Sequence, residues 1–253
     1  MKTKIKIFAV LSVLLVATMA CSLPRLVPEV EKPSSTEWDK TQVNEKQKLD
    51  SFNEIEFKGG GTIYLEQADD FSIEMEGSKT AVDTVKIEVR NGRLIIDQER
   101  SSWQWLTELD YPSFTIKFKD LSHFTLVGGA KVVANDLNLD SLLLKISGGG
   151  SLSMANFYAQ SIVMDIEGGL SFDISGEASQ QDLEFSGGID YKAEDFKGED
   201  VKLKMEGAGS AILWAIETLD LDLSGAYNVE YYGKPIVSQN VQGVGNLEAL
   251  GDK

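Results

Sequence analysis

A pair of small residues returns about every twenty positions through the second half of this chain. The centres are Gly128-Gly129, Gly148-Gly149, Gly168-Gly169, Gly187-Gly188, Gly207-Ala208 and Gly225-Ala226, with a weaker one at Gly243-Val244. Successive first glycines lie 20, 20, 19, 20, 18 and 18 residues apart. A fixed period in this range is the signature of a stacked-repeat architecture.

The side chains around each centre say what is stacked. Four and two residues before the first glycine stand Phe124/Leu126, Leu144/Ile146, Met164/Ile166, Leu183/Phe185, Leu203/Met205 and Leu221/Leu223. Three and five after the second stand Val132/Ala134, Leu152/Met154, Phe172/Ile174, Tyr191/Ala193, Ala211/Leu213 and Val229/Tyr231. Polar residues such as Asp165/Glu167 and Lys204/Glu206 fill most places between. That is period-two alternation, one face buried and one wet. A further apolar column lies six before the glycine at Leu142, Ile162, Val201 and Leu219, broken by Gln181. Each repeat therefore reads as strand, tight bend, strand, connection, with glycine reaching φ > 0 at the bend. One repeat cannot bury its apolar face alone, so neighbours must cover it. The expected fold is all-β: a parallel β-helix, or solenoid, with six to seven regular C-terminal rungs and a less regular β-rich N-terminal part. At roughly 4.8 Å per rung the regular part would be about 30 Å long.

The strings LKISGGGSLSMANF, LKMEGAGSAILWAIETLDLDLSGAYNVEYYGKP and VQGVGNL resemble the GIN domain, a bacterial family named for the head of auto-transporter adhesins. The upstream FNEIEFKGGGTIYLEQ and EVRNGRLIID are similar to that family's first half. The resemblance spans Leu49–Leu250. It implies a β-helical fold akin to that of pectin lyases and a role in adhesion, and it brings no catalytic motif.

Residues 1–20 read as an export signal: Lys2, Lys4 and Lys6, then the apolar Ile7–Val16. That run is short for a membrane-spanning helix, which needs about twenty residues. Cys21 is the only cysteine, so no internal disulfide is possible. Its place after Ala20 resembles a bacterial lipobox, which implies a lipid anchor on Cys21. Thr18 and Met19 depart from the commoner choices, so cleaved secretion and a retained anchor stay open as alternatives. Residues 21–48 carry three of the five prolines and many charges without a period. They read as a lipidated N-terminus and flexible linker, with Trp38 as a solvated aromatic. Residues 49–253 are then one domain.

The first part of that domain alternates less regularly. Asn91-Gly92, between Val85/Ile87/Val89 and Leu94/Ile96, predicts a type I′ hairpin. Gly59-Gly60-Gly61 reads as an early bend of the later kind. Irregular early rungs or a small antiparallel sheet should cap the open end. Ser101–Asp110 interrupts the pattern and reads as a loop carrying Trp103 and Trp105.

Chemistry-bearing residues are sparse. The single histidine, His123, has no cysteine or second histidine for a zinc site or a serine–histidine triad. Pectate-lyase chemistry on a β-helix uses an arginine base beside calcium-binding aspartates. The arginines here are Arg25, Arg90, Arg93 and Arg100, none of them in the repeats. Asp165, Asp173 and Asp190 face outward but in different columns. Lys145, Asp165, Glu184 and Lys204 share one outward column and read as a surface ion ladder, with bound calcium as the sharper alternative. No cofactor, metal or catalytic residue is expected. The net charge is −16; without the three leader lysines, 21 basic residues face 40 acidic ones, a net of −19. Such a surface repels nucleic acid.

The expected function is a non-catalytic, membrane-tethered, extracytoplasmic binding or scaffold domain. Its partners would be the membrane, through the anchor, and an extracellular glycan or protein. A glycan-active lyase or hydrolase, or a purely structural envelope lipoprotein, are the alternatives. Candidate contact residues are Trp214, Tyr232 and Ile212, outward on the last full rungs, together with Trp103 and Trp105; the alternative for the Trp214–Tyr232 patch is that the C-terminal tail or the irregular N-terminal half folds over it and buries it.

Overall fold

The computed structural model describes residues 41–99 and 110–253. The segment expected to be an export signal, Cys21, Trp38, Trp103 and Trp105 lie outside the described residues. What is described is nearly all β. The strands are β1 (Gln42–Lys48), β2 (Glu54–Gln67), β3 (Ser72–Ser78), β4 (Val85–Arg90), β5 (Arg93–Gln98), β6 (Ser113–Phe118), β7 (His123–Val133), β8 (Asn138–Tyr232) and β9 (Ile236–Gly251). One short helix, α1 (Lys79–Val82), follows β3, where the Ser78 hydroxyl accepts the Ala81 N–H at its start. The sheet is open, not a barrel, with the order β1-β3-β6-β2-β7-β8-β9; β5 also pairs β2, and β4 pairs β5.

The glycine pattern sets the register. β2, β7, β8 and β9 run parallel, with Gly59 beside Gly128, Gly128 beside Gly148, and Gly225 beside Gly243. β8 is 95 residues of unbroken extended backbone. Its side chains reach one another at intervals of one repeat: Lys145 to Asp165, Glu177 to Lys197, Glu184 to Lys204, Asp190 to Ser210 and Asp200 to Thr218. The run therefore returns over itself every 18 to 20 residues. Along the column Gly128, Gly148, Gly168, Gly187, Gly207, Gly225 and Gly243 every φ lies between 98° and 146°. A Cβ on Gly168 would overlap the Gly148 carbonyl oxygen, and one on Gly148 would overlap that of Gly128. Backbone stacked on backbone leaves no space for any side chain there.

The core follows the alternation. Phe124, Leu144, Met164, Leu183, Leu203 and Leu221 are all buried, as are Val132, Leu152, Phe172, Tyr191, Ala211 and Val229. Each such side chain contributes about 1.5–3 kcal/mol on burial. Phe172, Phe185 and Tyr191 form an aromatic cluster with centroids 5.2–5.8 Å apart. The Tyr191 hydroxyl is buried without a partner, and burial pushes its ionisation well above the usual tyrosine range. Gln181 does not break the column six before the glycine. It stays inside, 2 % exposed, with its Nε2 donating to the Ala178 carbonyl at 3.4 Å.

The N-terminal part holds antiparallel pairs, β1 on β3 and β3 on β6, of the kind expected as one of the two alternatives for a cap. The first half of β2 lies between β5 and β7, and its second half between β6 and β7. β5 and β6 thus do jointly what a single repeat does later. Where they part, the buried Gln98 side chain pairs with Gly60, accepting its N–H at 2.8 Å and donating to its carbonyl at 2.9 Å. The β4–β5 hairpin turns at Asn91 (φ 52°) and Gly92 (φ 77°), as a type I′ turn requires. One difference concerns the linker expected over residues 21–48. Gln42–Lys48 is strand β1, paired antiparallel with β3. Its residues are exposed except the half-buried Val43, so no alternation marked it.

Candidate functional site

The outward faces of the repeats carry all the sequence-expected site residues that are described. Ile212, Trp214 and Tyr232 are half-buried. Trp214 and Tyr232 occupy equivalent places on neighbouring repeats, because β8 turns back between them. Lys253 spans the pair, with its ammonium 5.3 Å from each ring centroid. The same ammonium donates to the Glu194 carbonyl and to the Asp195 carboxylate. Glu194 is the equivalent residue one repeat earlier, and its Oε2 is buried without a partner. The patch is therefore two ring faces, one cation and two carboxylates. It is bridged by a charge, not covered by an apolar segment. Rings of this kind offer large stacking area and a polar edge, and a cation above them gains about 0.5–1 kcal/mol at an exposed site. Sequence reasoning found the rings from their outward parity. It held open that the C-terminal tail folds over them, as Lys253 does, but did not single out Lys253, Glu194 or Asp195, because nothing local ties Lys253 to that column.

The ion ladder is present. Lys145 meets Asp165 at 3.0 Å and Lys204 meets Glu184 at 2.7 Å, with Glu206 at 3.4 Å from the same lysine. The Lys204 ammonium is held above its ordinary range, first by the Glu184 hydrogen bond and then by Glu206. Beside it, Lys202 and Lys204 lie between Asp182/Glu184 on one side and Asp220/Asp222 on the other. This is a solvated charged face. Among the described residues no group of three or more histidine, cysteine, aspartate or glutamate side chains is arranged to hold a metal ion.

The three aspartates weighed for glycan hydrolysis are separately employed. Asp165 is in the ladder, and Asp173 stands exposed. Asp190 accepts from Ser210 at 2.7 Å and meets Lys192 at 3.3 Å. The Ser210 hydrogen bond, helped by Lys192 and opposed by burial, holds its carboxyl below the usual range. His123 is exposed, with Nδ1 3.0 Å from the Ser122 hydroxyl and 4.0 Å from Glu54. Hydroxyl and carboxylate both approach Nδ1, whereas a triad needs them on opposite ring nitrogens.

Residues 51–235 match the family model described as "putative auto-transporter adhesin, head GIN domain". The chain belongs to that family. Solved structures agree on the fold. A putative adhesin from Bacteroides fragilis NCTC 9343 is 19% identical with a TM-score of 0.76, covering 84% of this chain and 99% of its own. A putative adhesin from Parabacteroides distasonis ATCC 8503 is 21% identical with a TM-score of 0.60, covering 84% and 98%. A structure from the same organism, named a putative lipid binding protein, is 17% identical with a TM-score of 0.52, covering 83% and 96%. No curated protein matches this chain. The GIN match ends at residue 235, immediately before β9.

Proposed function

We propose that this GIN chain winds as a parallel β-helix and serves as the non-catalytic binding head of an extracytoplasmic protein tethered to a membrane through Cys21. The parallel register of one repeat on the next, and the family, support the fold. Family and structural neighbours bear adhesin names, which supports binding over catalysis. The partner is an extracellular glycan. Sugar rings stack on aromatic faces, and their hydroxyls pair with carboxylates and ammonium groups. The single observation that carries this reading is the Trp214–Tyr232 pair bridged by Lys253 with Asp195 beside it.

The test is the full chain on a glycan array, compared with Trp214→Ala/Tyr232→Ala. The expected result is saturable glycan binding that the double variant loses, with little change in melting temperature. A double variant that loses several kcal/mol of stability while binding is unchanged would mean the rings only pack. Retention of an envelope protein with no glycan bound would point to a scaffold instead.

A further inference from the structure

The two ends of the sheet differ. At one end β1 (QVNEKQK) carries Glu45, Lys46 and Lys48, charges of the kind that guard an open strand edge. At the other end β9 (IVSQNVQGVGNLEALG) has no proline and a single charged residue, Glu248, in a chain that is 25% charged. β9 pairs β8 along one edge only. Its apolar side chains lie open: Ile236 is 79 % exposed, Val244 83 %, Val241 39 % and Val237 37 %. An edge with exposed apolar side chains and one charge is a template for another strand.

The occupant can be argued from the strand itself. β9 is broken at Gly243, where φ is 138°. A second β9 laid antiparallel can follow it only if the two breaks coincide. That condition puts a two-fold axis through Gly243 and fixes the whole register. Val237 then faces Ala249 of the other copy, Gln239 faces Leu247, and Val241 faces Gly245. All of these are core-side positions by the alternation, exposed or half-buried at this end of the sheet, so the inward face would continue across the axis. On the outer side Asn240 faces Asn246, Gln242 faces Val244, and Glu248 faces Ser238, while Leu250 lies at the register shift opposite Tyr231 and Tyr232 and stays outside the ladder. No like charges meet, although each copy carries a net charge of −16.

We propose that β9 is the pairing edge of a symmetric dimer, in which a second copy of this chain adds its own β9 antiparallel about Gly243. The pairing adds strand to strand over about 50 Å of backbone. It lies outside the GIN-matched residues and does not use Trp214 or Tyr232.

Sedimentation of the full chain in a non-ionic detergent tests it. The register sets Gln242 opposite Val244 across the axis, so Gln242→Lys/Val244→Lys places lysine against lysine twice. Dimerisation should weaken about tenfold or more. Gln242→Lys/Val244→Glu places lysine against glutamate in the same register and should keep the dimer. A wild-type monomer overturns the proposal, and so does a dimer that both variants keep or both lose.

Discussion

Gly168 carries two constraints at once: φ of 129°, and a neighbouring carbonyl where its Cβ would be. Relaxing one leaves the other, so no side chain fits without moving the rung beneath. Gly168→Val should therefore cost well over the roughly 1 kcal/mol of an average substitution. Asp165, on the same repeat, loses only its half-exposed pair with Lys145 when changed to serine. Such pairs contribute about 0–1 kcal/mol, so Asp165→Ser should be near neutral. Urea denaturation of the two variants decides the matter; equal losses would mean the register is misassigned. Other residues tolerate positive φ without being glycine. Asp136 (φ 57°) and Asn156 (φ 56°) stand in equivalent places on successive repeats, and Gly176 (φ 128°) continues them. Asn156 also donates to Asp136 at 2.8 Å, which ties that corner together.

At the scale of elements, Gln98 takes the place of a missing rung. Later bends have the preceding repeat's backbone beside them, whereas on that side Gly60 has an amide side chain, its other neighbour being Gly129. Gln98→Leu keeps the volume and strands both Gly60 groups in a buried site. An unsatisfied buried group costs about 1–3 kcal/mol, so a clear fall in the thermal midpoint is expected. A midpoint within a degree of wild type would mean water replaces the amide. The elements differ in how far the sequence disclosed them. The glycine columns were legible because one residue type repeats at one spacing. The Asp136–Asn156–Gly176 corner was not, because three residue types share one backbone conformation. β1 was hidden because an edge strand exposed on both faces has no alternation. The outward rings at Trp214 and Tyr232 could be read from parity alone. Their partner Lys253 could not, since long-range docking of a single side chain leaves no periodic trace.

For the whole molecule, charge and tether belong together. A net charge of −16 keeps the chain off anionic surfaces, so the proposed tether rests on the acyl group proposed at Cys21 and not on surface charge. Cys21→Ser should move the protein from the detergent phase to the aqueous phase in a membrane fractionation. A variant that stays with the membrane, its leader intact, would rule out lipid anchoring. The parallel stacking also gives the molecule an order in time. β2 must wait for β7 before its second edge is filled. From there on, every 18 to 20 residues of new chain land on the repeat just completed. A ribosome adding about 5–20 residues per second delivers one repeat every few seconds, while β topologies dominated by non-local pairing fold in roughly milliseconds to seconds. Each instalment can thus be laid down before the next emerges, and the growing protein never needs to hold more than about one repeat of unpaired chain.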